Sequence, residues 1–410
     1  MLAGLLAFSG WHAVKPLPAG THVDSLAARL PESDVALLAE RADSVPDAEI
    51  AMIASASQFV VVDQSPLPRA LAQALLLRKH AQPRLHAMVI TDARAEAFGG
   101  SPPKDLAALE AAGITVSHVD LERLRDANPL FSGPWRLAVN SWSSAADEGP
   151  SVDDWRVQAR HLNYQGDERD VLIADDGAGN TVAMVGAIDA LPALKVRGAP
   201  ARAMLDSEIK VASWSGSSGA LPALPAAPAP QPGTLDVRYL SEGAIGVSLL
   251  EVLARAAGGA QVDLAARLLS ERRLIEALKD AAARGVAVRV LLDAVDPNPL
   301  IAGELTASGV KLRWRLVSTT RTQLTVAQYP SDTAVLMSSA DLSRRGLDDF
   351  NLESAVEIFG PRRSQAAHLA AECFEAAWAK GTPQPKAAAP ADKFEYWRYR
   401  ILEATGLGGF

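Results

Sequence analysis

The chain contains one structural unit twice. Leu109 to Val116 reads Leu-Glu-Ala-Ala-Gly-Ile-Thr-Val and Leu305 to Leu312 reads Leu-Thr-Ala-Ser-Gly-Val-Lys-Leu. Each is a helix end, a glycine that stops it and the start of a strand. The order around each copy repeats as well. In the first half a short helix near Ile50 to Ala56 precedes a strand Phe59 to Asp63. A helix Arg69 to Lys79, a strand His86 to Asp92, a helix Pro103 to Ala112 and a strand Ile114 to Val119 follow. In the second half a helix patterned by Ile245, Leu249, Val252, Leu253 and Ala256 precedes a strand Val262 to Leu268. A helix capped at Ser270 and ended by Gly285, a strand Val286 to Leu292, a short helix and a strand Val310 to Trp314 follow. Each half closes on two more apolar runs, Val171 to Ala174 with Thr181 to Ile188, and Leu324 to Ala327 with Ala334 to Met337. Alternating helices and strands predict an α/β fold: two lobes, each a mixed, mostly parallel sheet flanked by helices, related by a pseudo-two-fold.

Between the copies, Ser213 to Gly233 runs from Ser-Trp-Ser-Gly-Ser-Ser-Gly into Pro-Ala-Leu-Pro-Ala-Ala-Pro-Ala-Pro-Gln-Pro. Such a stretch neither continues a helix nor pairs in a sheet, so it reads as a linker. The expected division is a first lobe over 1–212, the linker over 213–233, a second lobe over 234–380, and a spacer with an aromatic tail over 381–410. The tail, Phe394-Glu-Tyr-Trp-Arg-Tyr-Arg-Ile-Leu, suits either a clasp across the lobes, the preferred reading, or a short interfacial segment on a membrane. Met1 to Trp11 is apolar but too short to span a bilayer; it reads as a docked segment or the remainder of a longer anchor.

A formal charge of -8 on 410 residues, with no basic stripe, excludes an electrostatic footprint for nucleic acid. One cysteine, Cys373, excludes an internal disulfide and a cysteine-rich metal site. Gly177-Ala-Gly-Asn180 is a turn between strands and not a phosphate loop, because no helix follows it.

Two stretches carry a resemblance. They are Gly166 to Gly177 (Gly-Asp-Glu-Arg-Asp-Val-Leu-Ile-Ala-Asp-Asp-Gly) and Arg321 to Gln328 (Arg-Thr-Gln-Leu-Thr-Val-Ala-Gln), the latter followed by Ser338 to Glu353 (Ser-Ser-Ala-Asp-Leu-Ser-Arg-Arg-Gly-Leu-Asp-Asp-Phe-Asn-Leu-Glu). Here the chain resembles the phospholipase D superfamily, in its cardiolipin synthase-like bacterial branch. That family carries His-x-Lys-x4-Asp in each half, followed by Gly-Ser-x-Asn. One histidine attacks phosphorus, the other protonates the leaving alcohol, and lysines and asparagines hold the phosphate oxygens.

Placed on this chain, the first motif falls on Glu168, Asp170 and Asp175, with the small-residue element on Gly186, Ala187, Ile188 and Asp189. The second falls on Arg321, Gln323 and Gln328, then Ser338, Ser339, Ala340 and Asp341; Asn351 and Glu353 match the family's Asn-x-Glu. Only Asp175, Gly186 and Ser339 keep the motif's residue, and none of the seven histidines has a lysine two positions later. Carboxylates and amides would stand where cations should hold an anion. The resemblance therefore implies a superfamily frame without intact catalytic residues, a pseudoenzyme acting as a binding or scaffold partner of a phospholipid or an envelope protein. The alternative is an active phosphodiesterase or phosphatidyltransferase with a rearranged site. Because the two histidine positions face each other in the family, Glu168 and Arg321 are expected to form an ion pair bridging the lobes.

Other constellations are weaker. Asp167, Glu168, Asp170, Asp175 and Asp176 are dense in carboxylate, and a metal-dependent hydrolase is a third class. Their spacing matches no calcium loop, however, so no metal and no cofactor is assigned. Ser339 lacks a Gly-x-Ser-x-Gly elbow and is no triad nucleophile, whether partnered by Asp341 or His161. Arg344 and Arg345 read as a solvated or capping pair. The expected protein is monomeric, and soluble or peripherally membrane-associated in a bacterial cytoplasm or envelope.

Overall fold

The structure, a computed structural model, describes residues 2–38, 44–92, 103–128, 132–133, 165–186, 192–217, 232–318, 323–383 and 393–405. The first part of the chain gives α1 (Leu2–Val14), β1 (Ala28–Leu30), β2 (Val35–Leu38), α2 (Ser44–Ser55), β3 (Phe59–Asp63), α3 (Arg69–Ala81), β4 (His86–Thr91), α4 (Pro103–Ala111) and β5 (Thr115–His118). Then come β6 (Val171–Asp175), β7 (Thr181–Val185), β8 (Ala193–Arg197) and α5 (Ala199–Trp214). The rest gives β9 (Leu235–Ser241), α6 (Gly243–Arg255), β10 (Gln261–Ala266), α7 (Arg272–Ala283), β11 (Ala287–Asp293), α8 (Asn298–Ala307) and β12 (Leu312–Val317). It closes with β13 (Leu324–Gln328), β14 (Asp332–Ser338), α9 (Arg344–Leu347), β15 (Ser354–Pro361), α10 (Gln365–Lys380), β16 (Thr382–Pro383) and α11 (Lys393–Thr405).

The duplication is written into the sheets. One runs β2-β8-β7-β6-β3-β4-β5, the other β1-β9-β15-β14-β13-β10-β11-β12-β16. Strand for strand, β2 to β8 of the first correspond to β9 to β15 of the second, in the same spatial order. Both sheets are mixed, as expected, but they are mostly antiparallel. Parallel pairing is confined to β3-β4-β5 and β10-β11-β12; every other neighbouring pair is antiparallel. The helical crossovers that enforce parallel pairing join only those three strands in each lobe. β6-β7 and β13-β14 are linked by short turns, which bring the chain back antiparallel.

Burial on both faces explains the near-continuous apolar strands. In β3, Phe59 and Val61 enter a central core while Val60 and Val62 enter an outer one beneath α2 and α3. The central core is shared between the lobes: Val61 and Ile173 of one sheet cluster with Val237, Val326 and Val356 of the other, together with Met204 and Leu205 of α5 and Phe374 and Trp378 of α10. The second lobe has its own outer core beneath α6, α7 and α8.

Several local expectations change. Helix α7 is capped by Glu271, whose carboxylate accepts from the Leu274 amide at 2.7 Å. Ser270 is held one residue earlier by its amide donating to Leu342. Ser213 and Trp214, expected in the linker, finish α5; of the remaining linker, 218–231 lies outside the described residues. β1, from the first 212 residues, pairs with β9 in the second sheet, so that strand is lent across the lobe boundary. No helix among the described residues is long and apolar enough to cross a membrane.

Candidate functional site: the groove where the lobes meet

The two motif regions meet through backbone pairing. Asp167 forms a parallel bridge with Leu352; the Glu168 amide donates to the Leu352 carbonyl at 2.9 Å and the Leu352 amide to the Gly166 carbonyl at 3.0 Å. Asn351 adds its side-chain oxygen, which accepts from the Gly166 amide at 3.1 Å. The segment before β6 is thus stitched to the segment before β15, and residues far apart in sequence come to line one groove.

On the second-lobe side, Gln323 and Asp341 are joined directly. The Gln323 amide nitrogen donates to Asp341 Oδ1 at 3.0 Å, and Arg267 grips the same carboxylate, with Nε on Oδ1 at 3.1 Å and a close contact of the guanidinium with Oδ2. Ser339 donates to Glu353 Oε2 at 2.6 Å and accepts the Ser354 amide at 3.0 Å, so its hydroxyl is fully committed to holding the turn. Glu353 is buried, and its other oxygen, Oε1, has no hydrogen-bond partner among the described residues. Burial first, and the nearby Glu168 charge second, push Glu353 well above the usual carboxylate range.

Glu168 is exposed. Solvent reaches its side chain, yet the protein mass around the groove strips away much of its hydration. That desolvation, with the like charge of Asp341 and against the attraction of Arg267, raises its pKa to about 7. Arg267 and Arg345 are the cations that oppose the rise. Arg345 is buried in the fold and is not a solvated residue. Arg321 and Asp189 lie outside the described residues, as do Ala187 and Ile188 and the expected pairing of Glu168 with Arg321.

The acidic run around Glu168 scatters instead of converging. Asp175 turns away to accept from the amides of Ser57, Gln58 and Phe59 (2.7–3.0 Å) and from the Ser57 hydroxyl at 2.6 Å. Burial alone would raise its pKa; these donors more than offset it and hold it below the ordinary value. Asp176 binds Asn180 within its turn. Gln328, the counterpart of Asp175 in the second lobe, accepts from Arg362 at 2.8 Å in an exposed position. Among the described residues no three His, Cys, Asp or Glu side chains are grouped to hold a metal.

The residue between Glu168 and Asp170, which the motif pattern passes over, organises the junction. Arg169 is wholly buried. It bonds Glu242 Oε1 with Nε at 3.1 Å and Nη2 at 2.7 Å, Glu208 Oε1 at 3.0 Å, the Ser207 hydroxyl at 2.9 Å and the Gly20 carbonyl at 3.0 Å. One guanidinium serves a buried set of acids. Asp63 and Asp167 are buried beside it, with Asp63 Oδ1 and Oδ2, Asp167 Oδ2 and Glu208 Oε2 accepting nothing among the described residues. Burial and the neighbouring carboxylates raise Asp63 well above its ordinary value and Asp167 to about 7. Carboxyls that crowd in this way share protons instead of all ionising. Glu49, bonded to Gln64 at 2.7 Å, is raised by burial to about 8.

Backbone strain gathers at the same junction. His22, Asp170, Glu242 and Asp349 all have left-handed φ, between 43° and 64°. The His22 amide donates to Glu242 Oε2 at 2.6 Å and its ring Nδ1 lies 2.6 Å from Asp349 Oδ1. Asp349 also accepts from Arg125 at 3.0 Å and from the Gly243 amide at 2.9 Å. A Cβ on Gly243 would stand 2.6 Å from Asp349 Oδ1, so only glycine admits this approach. Residues held in such conformations cost about 1–3 kcal/mol each and persist where surrounding contacts over-determine them.

Residues 249–378 match the family described as cardiolipin synthase, PLD-like domain. Among solved structures, phosphatidylserine synthase from Haemophilus influenzae Rd KW20 shares the fold over 98% of both chains, at 10% identity and a TM-score of 0.58. The second lobe is thus similar to a phospholipase D-like domain, and the whole chain shares the fold of that synthase. Looser superpositions include polyphosphate kinase from Porphyromonas gingivalis (12% identity, 90% of this chain and 53% of that one, TM-score 0.48). A phospholipase D family member from Salmonella typhimurium superimposes over 37% of this chain and 99% of its own (18% identity, TM-score 0.32). No curated protein sequence matches the chain. In superfamily terms the second-lobe motif region, Gln323 to Glu353, falls inside the matched stretch.

Proposed function

We propose that this chain is a phospholipase D-like protein that has given up phosphodiester turnover and serves as a binding or scaffold protein in phospholipid or envelope metabolism. One observation carries the reading: Gln323 and Asp341, placed where the family would hold phosphate with a lysine and an asparagine, are bonded to each other, and Arg267 is bonded to Asp341. A phosphate entering the groove would meet Asp341 and, in its ionised form, Glu168, with Arg267 already engaged. At an effective dielectric constant of about 20, a like charge approached to about 4 Å opposes binding by about 4 kcal/mol. The link to phospholipid rests on the cardiolipin synthase-like family match and on the fold shared with a phosphatidylserine synthase.

Glu168 favours one second reading. A solvent-reached carboxyl with a pKa near 7 suits a general acid or base, as an active phosphodiesterase or phosphatidyltransferase with a rearranged site would need. The deciding experiment offers the folded chain phosphatidylglycerol and a chromogenic phosphodiester, with and without divalent ions. Silence with an intact thermal transition supports the first reading. Turnover that Glu168→Gln abolishes establishes the second.

A further inference from the structure

Helix α11 is pinned on one side and exposed to solvent on the other. Tyr399 is buried and donates its hydroxyl to the Ser270 carbonyl at 3.0 Å; Tyr396 donates to Glu304 at 3.1 Å, and Glu403 is buried. Spaced i, i+3 and i+7, these residues share one face and hold it against the second lobe. These two tyrosine hydrogen bonds both reach the second lobe. Phe394, Trp397 and Ile401 have the same spacing on the opposite face and are 72%, 62% and 58% exposed. Since the inner face is fixed by hydrogen bonds, the helix cannot roll to bury them. Lys393, Arg398 and Arg400 border the stripe; Glu395 pairs with Arg398, and Glu403 points inward.

We propose that α11 docks the protein on an anionic phospholipid bilayer by inserting Phe394, Trp397 and Ile401 among the headgroups. Tryptophan and aliphatic side chains edged by lysine and arginine are the composition of an interfacial helix. The stripe exposes about 300–400 Å² of side chain, well under the roughly 800 Å² per partner of a stable protein interface. A bilayer needs no such area, because apolar insertion and local cations act together. The chain as a whole carries -8, so net charge supplies no attraction and attachment depends on this stripe. The inference is independent of whether the groove turns over a phosphodiester.

The test is co-sedimentation of the full chain with vesicles of phosphatidylglycerol and phosphatidylcholine, compared with phosphatidylcholine alone. The wild type is expected to sediment with the anionic vesicles, and Phe394→Ser/Trp397→Ser/Ile401→Ser to bind at least tenfold more weakly with an unchanged thermal transition. Arg398→Glu should weaken binding to anionic vesicles only. Failure of the wild type to bind overturns the assignment. So does undiminished binding of the triple variant, which would point to another apolar element such as α1 with its exposed Trp11. A wild-type dimer in size-exclusion chromatography that the triple variant dissolves would assign the stripe to a second copy instead.

Discussion

Arg169 of the first lobe bonds Glu242 of the second through two nitrogens to one oxygen, at 2.7 and 3.1 Å, with both side chains cut off from solvent. The same guanidinium holds Glu208 on α5. A charge so enclosed is tolerated only because every direction around it offers an acceptor.

Removing it should therefore be costly. Arg169→Met leaves Glu208 and Glu242 buried without their cation, and a loss of about 3–5 kcal/mol in unfolding free energy is expected. Arg169→Lys should fall between, since an ammonium reproduces the charge but not the fork. Denaturant titration of the three proteins checks the order.

Stability should depend on pH in an unusual direction. Glu49 has a folded pKa of about 8 against an ordinary 4.5, and Asp167 one of about 7 against 3.8. Between the ordinary and the raised values the folded state binds more protons than the unfolded one. Stability is thus fully present below about pH 4 for these groups and is lost as pH rises through 7 to 8. The melting temperature should fall from pH 5 to pH 8.5, and Glu49→Gln should flatten part of the decline, worth on the order of a few kcal/mol. A profile that rises over that window, or a variant with an unchanged slope, contradicts the proton-sharing account.

The two lobes should respond unequally to matching substitutions. Asp175→Ala strands the amides of Ser57, Gln58 and Phe59 and should cost about 2–4 kcal/mol. Gln328→Ala removes one exposed contact to Arg362 and should stay within about 0.5 kcal/mol. Thermal unfolding of both separates a structural role for Asp175 from a symmetrical one.

Within the groove, Asp341→Asn removes the strongest like charge acting on Glu168 and releases Arg267 toward it. The Glu168 pKa should drop from about 7 by roughly one unit or more. Carbon-13 titration of the glutamate carboxyls, with Glu168→Gln to assign the signal, reads the shift directly.

Much of the architecture could be read from local pattern. Strand β3 lies where the Phe-Val-Val-Val-Asp run put it, and the repeated helix-glycine-strand unit reappears as two sheets with one strand order. Strand direction was harder to read, because an apolar run looks the same whichever way its neighbour points. The cap of α7 is Glu271 and not Ser270; the amides of both are held by the carbonyl of Leu342, a partner distant in sequence that fixes where the helix begins. In the groove, the motif spacing led to Glu168, Gln323 and Asp341 but passed over Arg169, Arg267, Glu208 and Glu242. The faint signal for Arg169 and Arg267 was an arginine beside a buried strand, and nothing local marks which acid such a residue will meet.

Chain order and side-chain chemistry alone settled the duplicated α/β plan, since hydrophobic periodicity and glycine punctuation act within a few residues. They also settled which chemical groups stand at the motif positions, because identity is independent of folding. Only the folded chain decided how those groups pair, which carboxyls keep their protons and which face of the last helix stays exposed. Those outcomes depend on desolvation and on charges brought together across distant segments, and both arise only when the two lobes close on each other.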